Sequence, residues 1–110
     1  MWVQVYKSVI LHEKTRHLSK LLNQSLLTSV GMLISLWLFT AEAGDEDGVL
    51  RYITPECLAS AVNYEGNPEA VIDALCKAEY LTKGEDPETL IVTGWKKWQT
   101  AMTGRDRKKK

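Results

Sequence analysis

The feature that most constrains this chain is an apolar segment, LLTSVGMLISLWLFTAEA, at 26–43. Its strictly apolar part runs only from Leu26 to Phe39 and is interrupted by two serines, a threonine and a glycine. A membrane span needs about twenty apolar residues, and a secretory leader would not follow so long an amphipathic stretch. We therefore expect a central, largely buried helix and no membrane partner, with a signal or membrane role as the less favoured alternative.

The rest of the composition fits one globular domain. The chain has 110 residues, of which 45% are apolar, enough to build a modest core. Its two cysteines, Cys57 and Cys76, form no CxxC pair, and neither lies near a histidine in the sequence. A structural zinc site is thus not indicated, and reduced, half-buried thiols are the simplest interpretation.

Local patterns before and after the apolar segment predict the first elements. Alternating residues at 2–7 favour a short strand, and EKTRHLSKLLN predicts a helix with leucines on its inner face. Ser25 is placed to cap the apolar helix, which should end near Ala43. The segment 49–53, VLRYI, favours another short strand.

Two later segments share one helix-start signal, a capping residue followed by Pro and Glu: TPE at 54–56 and NPE at 67–69. They predict helices over 54–63 and 67–81, joined by the turn YEG. Two short apolar runs around GEDPET then predict a β-hairpin. The sequence thus predicts a mainly α domain over 1–99, a winged helix-turn-helix with four helices, an N-terminal strand and a wing. Residues 100–110 are expected to form a flexible basic tail or linker.

The chain resembles a known family in the order of its motifs over about residues 2–99. These motifs are Trp2, the His-x-Lys-Thr start at His12, VGMLISLWLF at 30–39, DGVL at 47–50, NPEAVIDAL at 67–75, and Trp95. They resemble the N-terminal winged-helix domain of phage and prophage replisome organisers, which are DnaD-like replication initiation proteins. The resemblance implies a DNA-binding module for DNA replication in the bacterial host cytoplasm. It also implies a further C-terminal region that oligomerises or binds DNA or replication proteins.

Charge is distributed unevenly although the net charge is zero. Residues 1–20 carry a net +3, residues 21–94 a net −9, and residues 95–110 a net +6. Basic ends favour a polyanion partner such as DNA, bound largely by electrostatic attraction, although a solvated linker is the alternative for the tail. The cations expected to contact DNA are Lys14, Arg16, Lys20, Lys77, Lys96, Lys97, Arg105, Arg107, Lys108, Lys109 and Lys110. Trp95 is expected to close the core, while Trp98 is equally compatible with base stacking and with packing.

The second helix of the predicted helix-turn-helix has an unusual outward face. We expect Glu69, Ala70, Asp73, Lys77 and Tyr80 to point outward, and the wing GEDPET is also acidic. Phosphate would repel such a surface, whereas major-groove readers mostly use Arg, Lys, Asn or Gln. The alternative function is therefore a protein-interaction or self-association module of the replication machinery. Glu69, Asp73 and Tyr80 would then contact a replication protein or a second copy, with little DNA binding by this domain.

Nothing in the sequence indicates an enzyme. HEKTRH at 12–17 resembles the zinc-protease motif HExxH, but its histidines are five residues apart. On a helix that spacing separates them by about 140°, so they cannot share one metal ion. We find no calcium-loop pattern at 44–56, no glycine-rich phosphate loop and no nucleophile with a base, and we predict no cofactor and no metal.

Overall fold

A computed structural model describes residues 12–86 and 88–95 of the chain. In these residues the elements are, in chain order, α1 (Glu13–Leu22), α2 (Leu26–Ala43), β1 (Val49–Leu50), α3 (Pro55–Ala61), α4 (Pro68–Lys77), β2 (Leu81–Lys83) and β3 (Leu90–Val92). The domain is mainly helical with one small antiparallel sheet, which confirms the predicted class at this level. The strand predicted at 2–7 and the segment after Trp95 lie outside the described residues.

The helices begin where their capping residues predict. Three N-cap side chains accept a backbone N–H from the first turn: Ser25 from Thr28 at 3.1 Å, Thr54 from Cys57 at 3.2 Å, and Asn67 from Glu69 at 2.9 Å. Such a bond satisfies an N–H group that has no partner inside the helix. Pro55 and Pro68 follow their caps at the first helical position, where the missing N–H costs nothing.

Three elements end earlier than predicted. Helix α3 ends at Ala61 and α4 at Lys77, so the connection between them spans 62–67 and is longer than the expected turn. Non-glycine residues in the left-handed region follow both ends, Asn63 with φ 57° and Glu79 with φ 68°. Strand β1 is likewise shorter than 49–53, because Tyr52 (φ 58°) leaves the extended conformation.

The predicted hairpin is present, formed by β2 and β3, and β3 is the central strand of the sheet. Strand β3 lies between β1 and β2 and is antiparallel to both, with Val49 opposite Ile91 and Leu81 opposite Val92. The inner face of this sheet, which includes Leu50, Leu90 and Val92, is buried against the helices. The sheet therefore holds together two parts of the chain about forty residues apart.

Helix α2 contributes one face to the core. Leu33 and Leu36 are fully buried together with leucines of α1, α3 and α4. The opposite face is open, however, with Leu27 82% and Leu38 44% exposed. Among the described helices, α2 is the one whose length and hydropathy would also suit a membrane. The expectation of a largely buried helix is thus correct for one face only.

Trp95 closes the core, as predicted. Its side chain is buried beside Gly48, and a Cβ placed on Gly48 would lie 2.4 Å from the Trp95 Cβ. Gly48 also has a φ of 79°, and its carbonyl accepts the Val92 N–H at 2.9 Å. Glycine is required here for two reasons, since a side chain would clash with the indole and would also disfavour the backbone conformation.

Candidate nucleic-acid interface

The basic residues of α1, which the sequence analysis groups together as DNA contacts, lie on two different sides of the helix. Arg16 and Lys20 are exposed neighbours, one helical turn apart. Lys14 lies about 160° around the helix from Arg16, and its Nζ lies 5.9 Å from the centre of the Tyr80 ring. A cation over an aromatic face is attracted by the ring quadrupole. Lys14 is therefore engaged where α1 meets the chain that follows α4, while Arg16 and Lys20 face solvent together.

Arg16 and Lys20 line an open cleft of about 590 Å³ between the end of α1 and the start of α2. The other lining residues are polar or apolar but not acidic: Ser19, Asn23, Gln24, Ser25 and Leu26. We call this surface the cationic cleft. The first turn of α2 contains no acidic residue, so its N–H groups and helix dipole add positive potential to that of the two side chains.

The cleft is held in shape by hydrogen bonds beneath it. The hydroxyls of Ser19 and Ser29 are 2.7 Å apart and share a hydrogen bond, and the Gln24 Nε2 donates to the Ser29 Oγ at 3.0 Å. Asn23 adopts the left-handed conformation, φ 52°, that turns the chain from α1 into α2. Because these contacts tie the two helices together, the spacing between the α1 cations and the α2 N-terminus is fixed by buried groups.

The face of α4 is acidic, as expected, with one correction. Glu69, Asp73 and Lys77 are exposed, but Tyr80 is buried, with only 8% of its surface accessible. Its hydroxyl is 2.7 Å from that of the fully buried Thr15. The expectation that Tyr80 points outward is therefore wrong. It extended the helical periodicity to 81, whereas α4 ends at Lys77 and the left-handed Glu79 turns the chain inward.

A groove of about 600 Å³ separates α4 from the hairpin turn. Its floor is apolar, from residues that include Ile53, Ile72 and Leu90, and five carboxylates and one ammonium group lie on its rim. The ammonium is that of Lys83, whose Nζ is 3.4 Å from an Asp73 carboxylate oxygen. We call this surface the acidic groove. Its charge opposes the approach of a phosphate backbone along α4.

Among the remaining predicted DNA contacts, Lys77 is the one that lies within the described residues. Lys96, Lys97, Trp98 and the basic residues at 105–110 lie outside the described residues. Lys77 is exposed in the last turn of α4 and lines neither the cationic cleft nor the acidic groove. Of the predicted cations within the described residues, the fold thus brings together only Arg16 and Lys20.

The sequence reasoning missed the partners of these two cations. Asn23, Gln24 and Ser25 complete the cleft, and a signal for them was available, because Lys20, in the last turn of α1, precedes the capping Ser25 by five residues. What the sequence does not contain is the angle between α1 and α2, which decides whether the cations and the next helix start face one another.

The described residues also include histidines and cysteines, which are residue types that can act as metal ligands or nucleophiles. They contain no group of three or more His, Cys, Asp or Glu side chains arranged to hold a metal ion. His12 instead caps α1, with its Nδ1 accepting the Lys14 N–H at 3.1 Å. Burial raises the pKa of the Cys76 thiol above its ordinary value, which lowers its reactivity as a nucleophile.

One ion pair stabilises the loop before β1. The carboxylate of Asp45 accepts hydrogen bonds from the Arg51 guanidinium at 2.8 Å and from the Val49 N–H at 3.0 Å. These bonds, the Arg51 one foremost, lower the pKa of Asp45 below its ordinary value. Arg51 is thereby committed to the loop and is a poor candidate for a DNA contact.

Comparison of the chain with protein-family models, with curated proteins and with solved structures found no match.

Proposed function

We propose that this domain is a DNA-binding winged-helix module that holds DNA mainly through its phosphates. The observation that carries the proposal is the cationic cleft, where Arg16 and Lys20 lie beside the N-terminus of α2. Phosphate oxygens accept hydrogen bonds from cationic side chains and from helix N-terminal N–H groups, and such contacts carry no sequence information. Binding of this kind is electrostatic and falls with salt.

The order of elements supports the winged-helix part of the proposal. Helices α3 and α4 precede the β2–β3 hairpin, and β1, from the chain before α3, joins the hairpin as a third strand. Two successive helices followed by a hairpin fit a helix-turn-helix with a wing. The motif resemblance to replisome organisers then makes DNA replication initiation the proposed context.

The acidic groove argues against the usual docking of such a domain. A recognition helix in the major groove lies between two phosphate walls, and Glu69 and Asp73 would face them. In the proposed mode the duplex contacts α1 and the start of α2, and α4 faces away from the phosphates.

Binding of a labelled duplex by variants of two surfaces tests this mode. Arg16→Gln with Lys20→Gln removes the cations of the cleft, and Lys77→Gln with Lys83→Gln removes the same charge from α4 and the hairpin. We expect the first pair to weaken binding about tenfold and to reduce the salt slope, d log K/d log[salt], by about 1.8. The second pair should weaken binding by no more than about threefold, because it removes only long-range electrostatic attraction. A larger loss of affinity from the Lys77 and Lys83 pair would mean that α4 enters the major groove of the DNA.

The acidic face of α4 favours a second function, that of a protein-interaction module. Exposed Glu69 and Asp73 would then contact a basic surface on a replication protein or on a second copy. Light scattering combined with Glu69→Lys and Asp73→Lys tests this function, because charge reversal should abolish the association. If both reversals leave every association intact, the α4 face is not the contact.

A further inference from the structure

We propose that the acidic groove docks the basic tail of the same chain, residues 105–110, and so withholds that tail from DNA. The groove and the tail are complementary in charge. On the groove, five carboxylates face one ammonium group, and in the described part of the chain no cation pairs with Glu69. The tail, RDRKKK, carries five cations and one carboxylate.

The shape of the groove suits an extended basic peptide. An apolar floor that includes Ile53, Ile72 and Leu90 lies between acidic rims on α4 and on the hairpin turn. The aliphatic stems of Lys and Arg bury against apolar surface while their charged ends remain at a polar edge. A phosphate backbone would instead meet repulsion from both rims.

The chain is long enough for the contact to form within one molecule. Leu90 lines the groove and Trp95 is five residues further on, a separation of at most about 17 Å along an extended chain. The nine residues 96–104 span up to about 30 Å. Residue 105 can therefore return from Trp95 to the groove without any change in the core.

The contact would act as a competition. Groove and DNA phosphates attract the same cations, so an intramolecular tail, present at millimolar effective concentration, lowers the affinity of the domain for DNA. DNA binding would release the tail from the groove and add its cations to the interface. The tail and the groove are thus coupled, and the coupling is measurable.

The contact can be tested without any nucleic acid. The host is the full chain with Arg105, Arg107, Lys108, Lys109 and Lys110 replaced by Gln, and the probe is a fluorescent peptide of sequence GRDRKKK, followed by anisotropy. We expect Glu69→Gln with Asp73→Asn to weaken peptide binding about fivefold, the effect of two exposed ion pairs. Glu42→Gln with Glu65→Gln, an equal charge change at exposed sites outside the groove, should leave it within twofold.

Comparison with the unaltered chain tests whether the contact is intramolecular. The unaltered chain should bind the peptide several-fold more weakly than the neutral-tail host, because its own tail occupies the groove, and it should remain monomeric by light scattering. Equal peptide binding by the groove variant and the Glu42/Glu65 control would overturn the proposal. So would equal binding by the unaltered and neutral-tail chains, or growth of a dimer that the neutral-tail substitutions abolish.

A DNA titration then measures the consequence and separates this proposal from the proposed function. Neutralising Glu69 and Asp73 should raise DNA affinity more in the chain with its tail charges than in the neutral-tail chain. Equal increases in the two backgrounds would show that the groove only repels DNA and would contradict the competition. Absence of DNA binding by every variant would instead count against the proposed function and leave the peptide result standing.

Discussion

At the scale of single residues, two glycine positions differ in whether they can accept a side chain. Gly48 combines a φ of 79° with the Trp95 indole at its Cα, whereas a Cβ on Gly31, in the exposed face of α2, would meet no atom within 4 Å. Glycine is thus necessary at the first position. At the second it only adds flexibility to the unfolded chain.

We predict that alanine at these two positions changes stability in opposite directions. Gly48→Ala should destabilise the domain by about 2–4 kcal/mol, through strain and a clash with Trp95. Gly31→Ala should stabilise it by about 0.5–1 kcal/mol, because alanine favours the helix. Chemical denaturation of both variants measures the two effects. A loss of stability in Gly31→Ala would show that another part of the chain packs against that face.

The buried hydrogen bond between Thr15 and Tyr80 links the first helix to the chain that follows α4. Tyr80→Phe or Thr15→Val should each cost about 1–2 kcal/mol, since one buried hydroxyl loses its partner. The double variant should cost less than the sum, because no unpaired hydroxyl remains. Tyr52→Phe is the control, at a side chain that is 87% exposed. Strict additivity of the two substitutions would contradict the bond.

Tyr80 should also make stability depend on alkaline pH. Burial raises the pKa of its hydroxyl above the ordinary value of 10.0, although the Thr15 hydrogen bond opposes this. The unfolded chain therefore loses the proton first, so the contribution of Tyr80 to stability is constant below about pH 9–10 and falls as pH rises toward the folded pKa. Burial also raises the pKa of Cys76 above its ordinary value of 9.0, so Cys76 adds to the loss of stability at alkaline pH. Denaturation at several pH values in a Cys76→Ser background should show the slope, and Tyr80→Phe should flatten it.

At the scale of elements, helix starts were predictable and helix ends were not. Caps and prolines at Ser25, Thr54 and Asn67 act within one turn, so the sequence contains the whole signal. No glycine marks the ends of α3 and α4, where Asn63 and Glu79 take the left-handed conformation. Those ends are set by core packing. A prediction from periodicity alone therefore extends α4 to residue 81 and places Tyr80 on the outer face.

We predict that the cap of α4 is measurable on its own. Asn67→Ala removes the acceptor for the Glu69 N–H and should cost about 1 kcal/mol of unfolding free energy. Asn67→Asp retains an acceptor and adds a favourable charge at the helix start, so its stability should match that of the original chain. Urea denaturation compares the two. Equal losses in both variants would mean that the amide group has a second partner.

At the scale of the whole molecule, the fold places the cationic cleft and the acidic groove on separate surfaces. The cationic cleft joins the end of α1 to the start of α2, and the acidic groove joins α4 to the hairpin, with no residue in common. Lys14 is drawn to Tyr80 and Arg51 to Asp45, so the described surface offers fewer free cations than the sequence suggests.

This distribution predicts that DNA affinity depends steeply on salt, and that the tail cations and the cationic cleft each contribute to the dependence. Affinity for a duplex should fall linearly with the logarithm of salt concentration. Neutralising the five tail cations should make the slope shallower, and Arg16→Gln with Lys20→Gln should reduce it further. Anisotropy titrations at two or more salt concentrations measure both slopes. Tight binding that ignores both salt and the tail would refute the electrostatic mode.

The sequence by itself determined the mainly helical class, the helix starts, the hairpin and the burial of Trp95, because these depend on neighbours within a few residues or on apolar content. Tertiary structure alone decided that Arg16 and Lys20 face the N-terminus of α2, that Lys14 turns away to Tyr80, and that Tyr80 is buried against Thr15. Each of these depends on the angle between packed helices. That angle is set by the fit of many side chains at once, and no local pattern in the sequence encodes it.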